Sequence, residues 1–158
     1  MTALLNYAKA SPEAYQAMLK LSQSAHHLDI DPKLLELVQV RASQINHCAF
    51  CIDMHTIDAR AGGETEQRLY ALPAWEETPF FTPRERAALA WTEAVTRVSQ
   101  EPVPEALYHA TREHFSEKEI VDLTLAIIAI NGWNRLAGVF RTEAGHYQPR
   151  APEKKKSA

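Results

Sequence analysis

Thr82-Pro83-Arg84-Glu85-Arg86-Ala87-Ala88-Leu89-Ala90-Trp91-Thr92-Glu93-Ala94-Val95-Thr96-Arg97-Val98 carries a complete helix start followed by helically spaced apolar residues. Threonine before proline is the N-cap and N1 pattern: the hydroxyl satisfies an orphan N–H, and proline has none to lose. Glu85, three residues after Thr82, completes a capping box. Ala88, Trp91, Val95 and Val98 then fall at i, i+3, i+7 and i+10, one stripe of a helix. The same punctuation recurs outward along the chain. Ser11-Pro12 and Asp31-Pro32 are further starts, Ser116-Glu117-Lys118-Glu119 is a second capping box, and Gly62-Gly63 is a stop. No stretch alternates with period two between turn signals, so the fold class is all-α. The expected helices are 12–26, 32–46, 48–61, 64–71, 83–98, 104–114 and 117–144. The last should break near Asn131-Gly132, because glycine costs about 1 kcal/mol in a helix interior. Pro73 to Pro83 is expected to be a loop.

Composition agrees with a single globular unit. The chain has 158 residues, 46% of them hydrophobic and 23% charged, near the averages for folded domains. A chain this long buries enough surface to fold without a metal or disulfide staple. Seventeen basic against twenty acidic residues leave a net charge of -3, which argues against a nucleic-acid or polyanion binder. Five glycines are few for a turn-rich β fold. The first residues have no basic segment ahead of an apolar run, so no signal peptide is expected. The apolar run Ile120 to Phe140 is interrupted by Asp122, Asn131, Asn134 and Arg135, so a core helix rather than a membrane span is expected. These features predict a cytoplasmic protein: one helical domain over 1–148 and a disordered tail over 149–158, whose Lys154-Lys155-Lys156 is solvated.

The chemistry-bearing run is Asn46-His47-Cys48-Ala49-Phe50-Cys51-Ile52-Asp53-Met54-His55. On a helix, Cys48, Cys51 and His55 fall within an arc of about 60°. Phe50, Met54, Ile57 and Ala61 form a separate apolar face, expected to pack inward. Thiols in the first turn of a helix meet unpaired N–H groups and the positive dipole end, which favour the thiolate. A second thiol three residues away can condense with a sulfenic acid, and an imidazole one turn on can move the proton. Two buried free cysteines, or a metal site made of Cys48, Cys51, His55 and a carboxylate, are the competing readings. A thioredoxin fold would need a βαβ setting that the pattern lacks.

The run Glu36-Leu37-Val38-Gln39-Val40-Arg41-Ala42-Ser43-Gln44-Ile45-Asn46-His47-Cys48-Ala49-Phe50-Cys51, followed by His55, resembles the alkyl hydroperoxidase D-like (AhpD-like) branch of the carboxymuconolactone decarboxylase family: a glutamate, eleven residues, then C-x-x-C-x-x-x-H. Phe80 to Trp91 and Asn131 to Ala137 resemble the same branch, so the likeness spans about residues 36 to 145. It implies an all-α homo-oligomer, trimeric or hexameric, that needs no cofactor and holds no metal. It implies a thiol peroxidase acting on a peroxide substrate and reduced by an external dithiol of lipoyl or thioredoxin type. Nucleic acid and membrane are not implied partners. Carried over, Cys51 is oxidised to the sulfenic acid, Cys48 is the proton donor and resolving thiol, and His55 and Glu36 form a proton relay. The best-known peroxidase branch carries a histidine where this chain has Phe50. A non-enzymatic redox sensor built on the same pair is the alternative function. The decarboxylase branch generally lacks the cysteines, so decarboxylation is not implied.

Outside the resemblance, Glu36 falls with Gln39 and Ser43 on a polar arc of its helix, where a solvated carboxylate is the plain expectation. Arg41 sits among Leu34, Val38, Ala42 and Ile45 on the apolar arc, so it needs a carboxylate or helix-end carbonyls as partner. His26-His27 end a helix, where a cation suits the dipole. His109, His114 and His146 are scattered. Trp133, Asn134 and Arg135 are expected at the core or a subunit interface.

Overall fold

The computed structural model describes residues 2–26, 28 and 30–149, and these contain helices and no strand. The helices are α1 (Tyr7–Ala10), α2 (Pro12–His26), α3 (Pro32–Ile45), α4 (Ala49–Ala61), α5 (Glu66–Ala71), α6 (Pro83–Thr96), α7 (Glu105–Arg112) and α8 (Glu117–Phe140), with a 3₁₀ segment at Leu72–Glu77. Both expected capping boxes are made: Thr82 with Glu85 opens α6, and Ser116 with Glu119 opens α8. Asp31 accepts from the N–H groups of Lys33 and Leu34 and starts α3. The expected tail, from 150 onward, and His27 lie outside the described residues.

α3 is the central strut, packed against α4, α6 and α8. Every residue from Leu37 to Ser43 is buried, which only a helix surrounded on all sides tolerates. Its apolar residues divide among three clusters. Leu34, Leu35 and Val38 meet Trp91 of α6 and Leu123 and Ile127 of α8. Leu37 and Val40 meet Ala59, Leu72, Trp75 and Leu89. Ala42 joins Cys48, Cys51, Ile130 and Ala137, with Phe50 and Trp133 packed alongside. Arg41 has the partner its position demands: its Nε donates to Glu93 Oε1 at 2.8 Å. Glu93 also accepts from Trp75 Nε1 and Arg97. Burial alone would raise the Glu93 carboxyl, but these donors hold it below the usual carboxylate range.

Four expectations are corrected. The first part of the loop expected over Pro73 to Pro83 lies in the 3₁₀ segment Leu72–Glu77, kinked at Ala74, with Trp75 buried in the second cluster. The short α1 was not foreseen. α8 runs unbroken through Gly132 and ends at Phe140, not near 144. Gly132 is where α2 crosses closely, since a Cβ there would lie 2.7 Å from Met18 Cε. On α4 the two faces are reversed. Cys51, His55 and Ala59 are its buried edge, whereas Phe50, Met54 and Ile57 are only half-buried and Ala61 is exposed. α3, α6 and α8 already fill the core behind α4, so the edge carrying sulfur and imidazole is the one turned inward.

Candidate active site

A tight reversal between α3 and α4 builds the site. Asn46 closes α3, His47 takes the left-handed region at φ 53°, and Cys48 is the extended N-cap of α4. Histidine is one of the few non-glycine residues that visit this region with any frequency. Cys48 N–H donates to Ser43 O at 3.0 Å, so the turn is pinned to α3. The Cys51 N–H donates to Cys48 Sγ at 3.3 Å. The sulfur therefore occupies the capping place of a serine oxygen, at the positive end of α4. Cys48 and Cys51 are joined as a disulfide with Cα atoms 5.4 Å apart, and both are buried.

His55 lies one turn beyond Cys51 on the same buried edge. Its Nδ1 is hydrogen-bonded to Glu36 Oε2 of α3 at 3.0 Å. With the carboxylate accepting, Nδ1 carries the hydrogen and Nε2 is the free basic nitrogen. Glu36 is half-buried rather than solvated, because the antiparallel α3–α4 pair brings it to His55. An open cavity of about 390 Å³ adjoins Glu36 and Asp58, flanked by Asp31, Lys33 and Glu64. Protons can therefore exchange between the buried pair and solvent. Glu36, His55 and Asp58 each offer one ligand atom within 4.8 Å of the others, the set a small divalent cation would meet. The two sulfurs fall outside that trio.

Behind the sulfurs lies a polar network that the sequence reading did not assign. Asn46 Nδ2 donates to Asn131 Oδ1 and Asn134 Oδ1, each at 2.9 Å. Asn134 Nδ2 donates to Ser43 Oγ at 3.0 Å, and Asn131 Nδ2 to Thr96 Oγ1 at 3.1 Å. The spacing of Glu36, Gln39, Ser43 and Asn46, three and four residues apart, was the available signal. Of the three residues expected at the core or a subunit interface, Asn134 is buried, Trp133 is half-buried on the disulfide cluster, edge-on to Tyr15, and Arg135 is exposed. The segment after α8 returns across α4: Gly145 N–H donates to Asp53 at 2.8 Å, and Tyr147 Oη is 2.8 Å from Asp58 Oδ2. His109 is exposed beside Glu105, away from this site.

Comparison with known proteins gives the following. The profile of the carboxymuconolactone decarboxylase family matches residues 12–94. The uncharacterized protein YdfG of Bacillus subtilis is 45% identical over 87% of this chain and 93% of its own length. A solved structure from Agrobacterium tumefaciens, of unknown function with a suggested antioxidant-defence role as AhpD, superposes with a TM-score of 0.89 at 42% identity. It covers 91% of this chain and 99% of its own. The debrominase Bmp8, solved with 2,3,4-tribromopyrrole, shares the fold at a TM-score of 0.78 and 16% identity, over 87% of this chain and 74% of its own.

Proposed function

The chain belongs to the carboxymuconolactone decarboxylase family, as an AhpD-like member, and on that premise we propose that it is a thiol peroxidase cycling Cys48 and Cys51 between dithiol and disulfide. One observation carries the reading. A C-x-x-C pair joined as a disulfide at a helix N-terminus sits one turn from an imidazole that is itself held by a half-buried carboxylate. That is the inventory for moving two electrons and the accompanying protons without a cofactor. The fold alone would not choose this chemistry, since Bmp8 shares it.

In the reduced state the Cys51 thiolate attacks the O–H oxygen of a hydroperoxide. The S–O bond forms, the O–O bond breaks, and the leaving alkoxide takes a proton from protonated His55. Glu36 holds that ring in orientation. Cys48 then attacks the Cys51 sulfenic acid, the disulfide forms, and water leaves. An external dithiol restores the pair by exchange, ending as its own disulfide. Phe50 packs against the cysteine cluster, so the relay here runs through His55 and Glu36 without a histidine between the cysteines. The cycle needs a reducing compartment, and the cytoplasm supplies one.

The same reading includes homo-oligomer formation. α8 exposes Val121 and Ile128 on one side, an apolar patch suited to a second copy. The deciding experiment is steady-state consumption of hydrogen peroxide and organic hydroperoxides with a panel of dithiol donors, including dihydrolipoyl and thioredoxin proteins. Turnover with at least one donor is expected. A protein that forms its disulfide stoichiometrically but turns over with none would be a redox sensor instead.

A further inference from the structure

Four polar residues line one stripe of α3, and three of them are partnered through their side chains. Glu36 holds His55, Ser43 holds Asn134, and Asn46 holds Asn131 and Asn134. Gln39 differs. It is 3% exposed, and its Oε1 has no hydrogen-bond partner among the described residues. Its backbone carbonyl is satisfied by Ser43 Oγ at 2.7 Å, so Oε1 is the orphaned acceptor. A buried acceptor left unpaired is destabilising, and an apolar side chain of the same shape would avoid that cost. Such an orphan inside an otherwise satisfied network calls for an occupant.

Its position identifies the occupant. α3 and α4 run antiparallel, with Glu36 against His55 at one level and the Ser43 carbonyl against the Cys48 N–H at another. Three residues forward from Glu36 along α3 corresponds to about three back from His55 along α4. Gln39 is therefore level with Ile52, between Cys51 and His55. Ala42, its neighbour one turn on, already belongs to the cluster that contains both cysteines.

Resting on the peroxidase reading, we infer that Gln39 is the substrate-binding residue of the site: its carboxamide oxygen accepts the hydrogen bond from the O–H of the hydroperoxide. That bond holds the O–H oxygen toward Cys51 Sγ, so the sulfur lone pair enters the O–O antibond as the alkoxide departs toward His55. The thiol proton passes to His55 and then to the alkoxide, giving Cys51 sulfenic acid and an alcohol, or water from hydrogen peroxide. A neutral acceptor of this kind selects oxidants that carry an O–H. It gives nothing to a thiol reagent without a hydrogen-bond donor.

That difference supplies the test. Reduced wild type, Gln39→Met and Gln39→Asn are each mixed in single turnover with hydrogen peroxide and cumene hydroperoxide, and separately with methyl methanethiosulfonate, which has no donor. Gln39→Met should keep or raise the melting temperature and slow peroxide oxidation of Cys51 at least tenfold. Its methanethiosulfonate rate and pH profile should match wild type. Gln39→Asn, whose amide is retracted by one methylene, should fall between, and it carries the same comparison if the methionine variant does not fold. Peroxide rates equal to wild type overturn the assignment, as does an equal loss toward both kinds of reagent, which would mean that the thiolate itself was disturbed. Wild type that reacts with methanethiosulfonate but not with either hydroperoxide overturns the peroxidase reading, and this assignment with it.

Discussion

Cys48 and Cys51 share a helix end but not an environment, and that difference predicts distinct variants. Cys48 caps α4 and receives the Cys51 N–H, whereas Cys51 lies inside the first turn and leads along the buried edge to His55. Cys51→Ser should abolish peroxide turnover, while Cys48→Ser should still be oxidised once and stop at the sulfenic acid, with no neighbouring thiol to condense. Trapping with a dimedone probe checks both, and a trapped Cys48 in the Cys51→Ser protein would reverse the roles. His55→Ala and Glu36→Gln should each lower turnover about 10²–10⁴-fold, the usual scale of a general acid–base group, with the fold retained. A solvated Glu36 would have made its substitution silent. At this scale the sequence was partly legible. Arg41 on an apolar arc announced a buried partner, and Glu93 is that partner. The carboxylate–imidazole contact followed from a family spacing and not from the helical wheel, because a wheel shows a polar arc without showing what packs on it. Gln39 was hidden for the same reason: its arc looked solvated, yet the residue is buried.

Helix starts were the most legible elements because each rests on local chemistry. The capping boxes at Thr82 and Ser116 and the Asp31 cap depend on residues within one turn, and all three form. Helix interiors and faces depend on partners far away in sequence, and there the reading failed. Met18 decides how Gly132 is used, and the crowd of helices behind α4 decides which of its edges is buried. The Ser116 box also has a measurable consequence. Hydrogen bonds from the Ser116 backbone N–H, from Arg84 and from the Ser116 hydroxyl lower the Glu119 carboxyl to about 2. A carboxyl depressed in the fold contributes stability above its ordinary value of 4.5 and loses it as pH falls toward about 2. The melting temperature of wild type should therefore decline across that window. Glu119→Gln should melt lower near neutrality and show a shallower acid slope. It should not become flat, because Glu85 and Glu93 are also held below their usual range. An unchanged acid slope in Glu119→Gln would remove the capping box from the stability of α8.

For the molecule as a whole, the all-α class and the enclosing of the cysteine pair in one helical body were open to sequence reasoning, because period and punctuation are repeated over most of the chain. What the outer surface does was not, since a stripe facing a partner has the same composition as one facing the core. α8 shows the difficulty: by length and composition it could cross a bilayer, yet Leu123, Ile127 and Ile130 are buried against the neighbouring helices. On its opposite side Val121 is 68% and Ile128 51% exposed, with Leu125 half-buried between them, before α2 crosses at Gly132 and the exposed Arg135 interrupts the apolar surface. From Val121 to Ile128 this patch is about 10 Å long at the helical rise, two turns that the same patch of a second copy can cover. Two copies meeting about a two-fold axis would cover it on both, since an isologous contact pairs a surface with itself. Wild type is therefore expected to sediment as an oligomer at micromolar concentration. Ile128→Glu, in this patch, should shift it to a smaller species by placing a charge in the contact. Cys51 in that variant should keep its reactivity toward methyl methanethiosulfonate, because the cysteines cluster with Ile130 and Ala137, on the other side of α8. Analytical ultracentrifugation beside thiol kinetics distinguishes the outcomes. A wild type that sediments as a monomer leaves the patch uncovered and removes self-assembly from the function proposed here; a smaller species that has also lost thiol reactivity would mean that assembly completes the site.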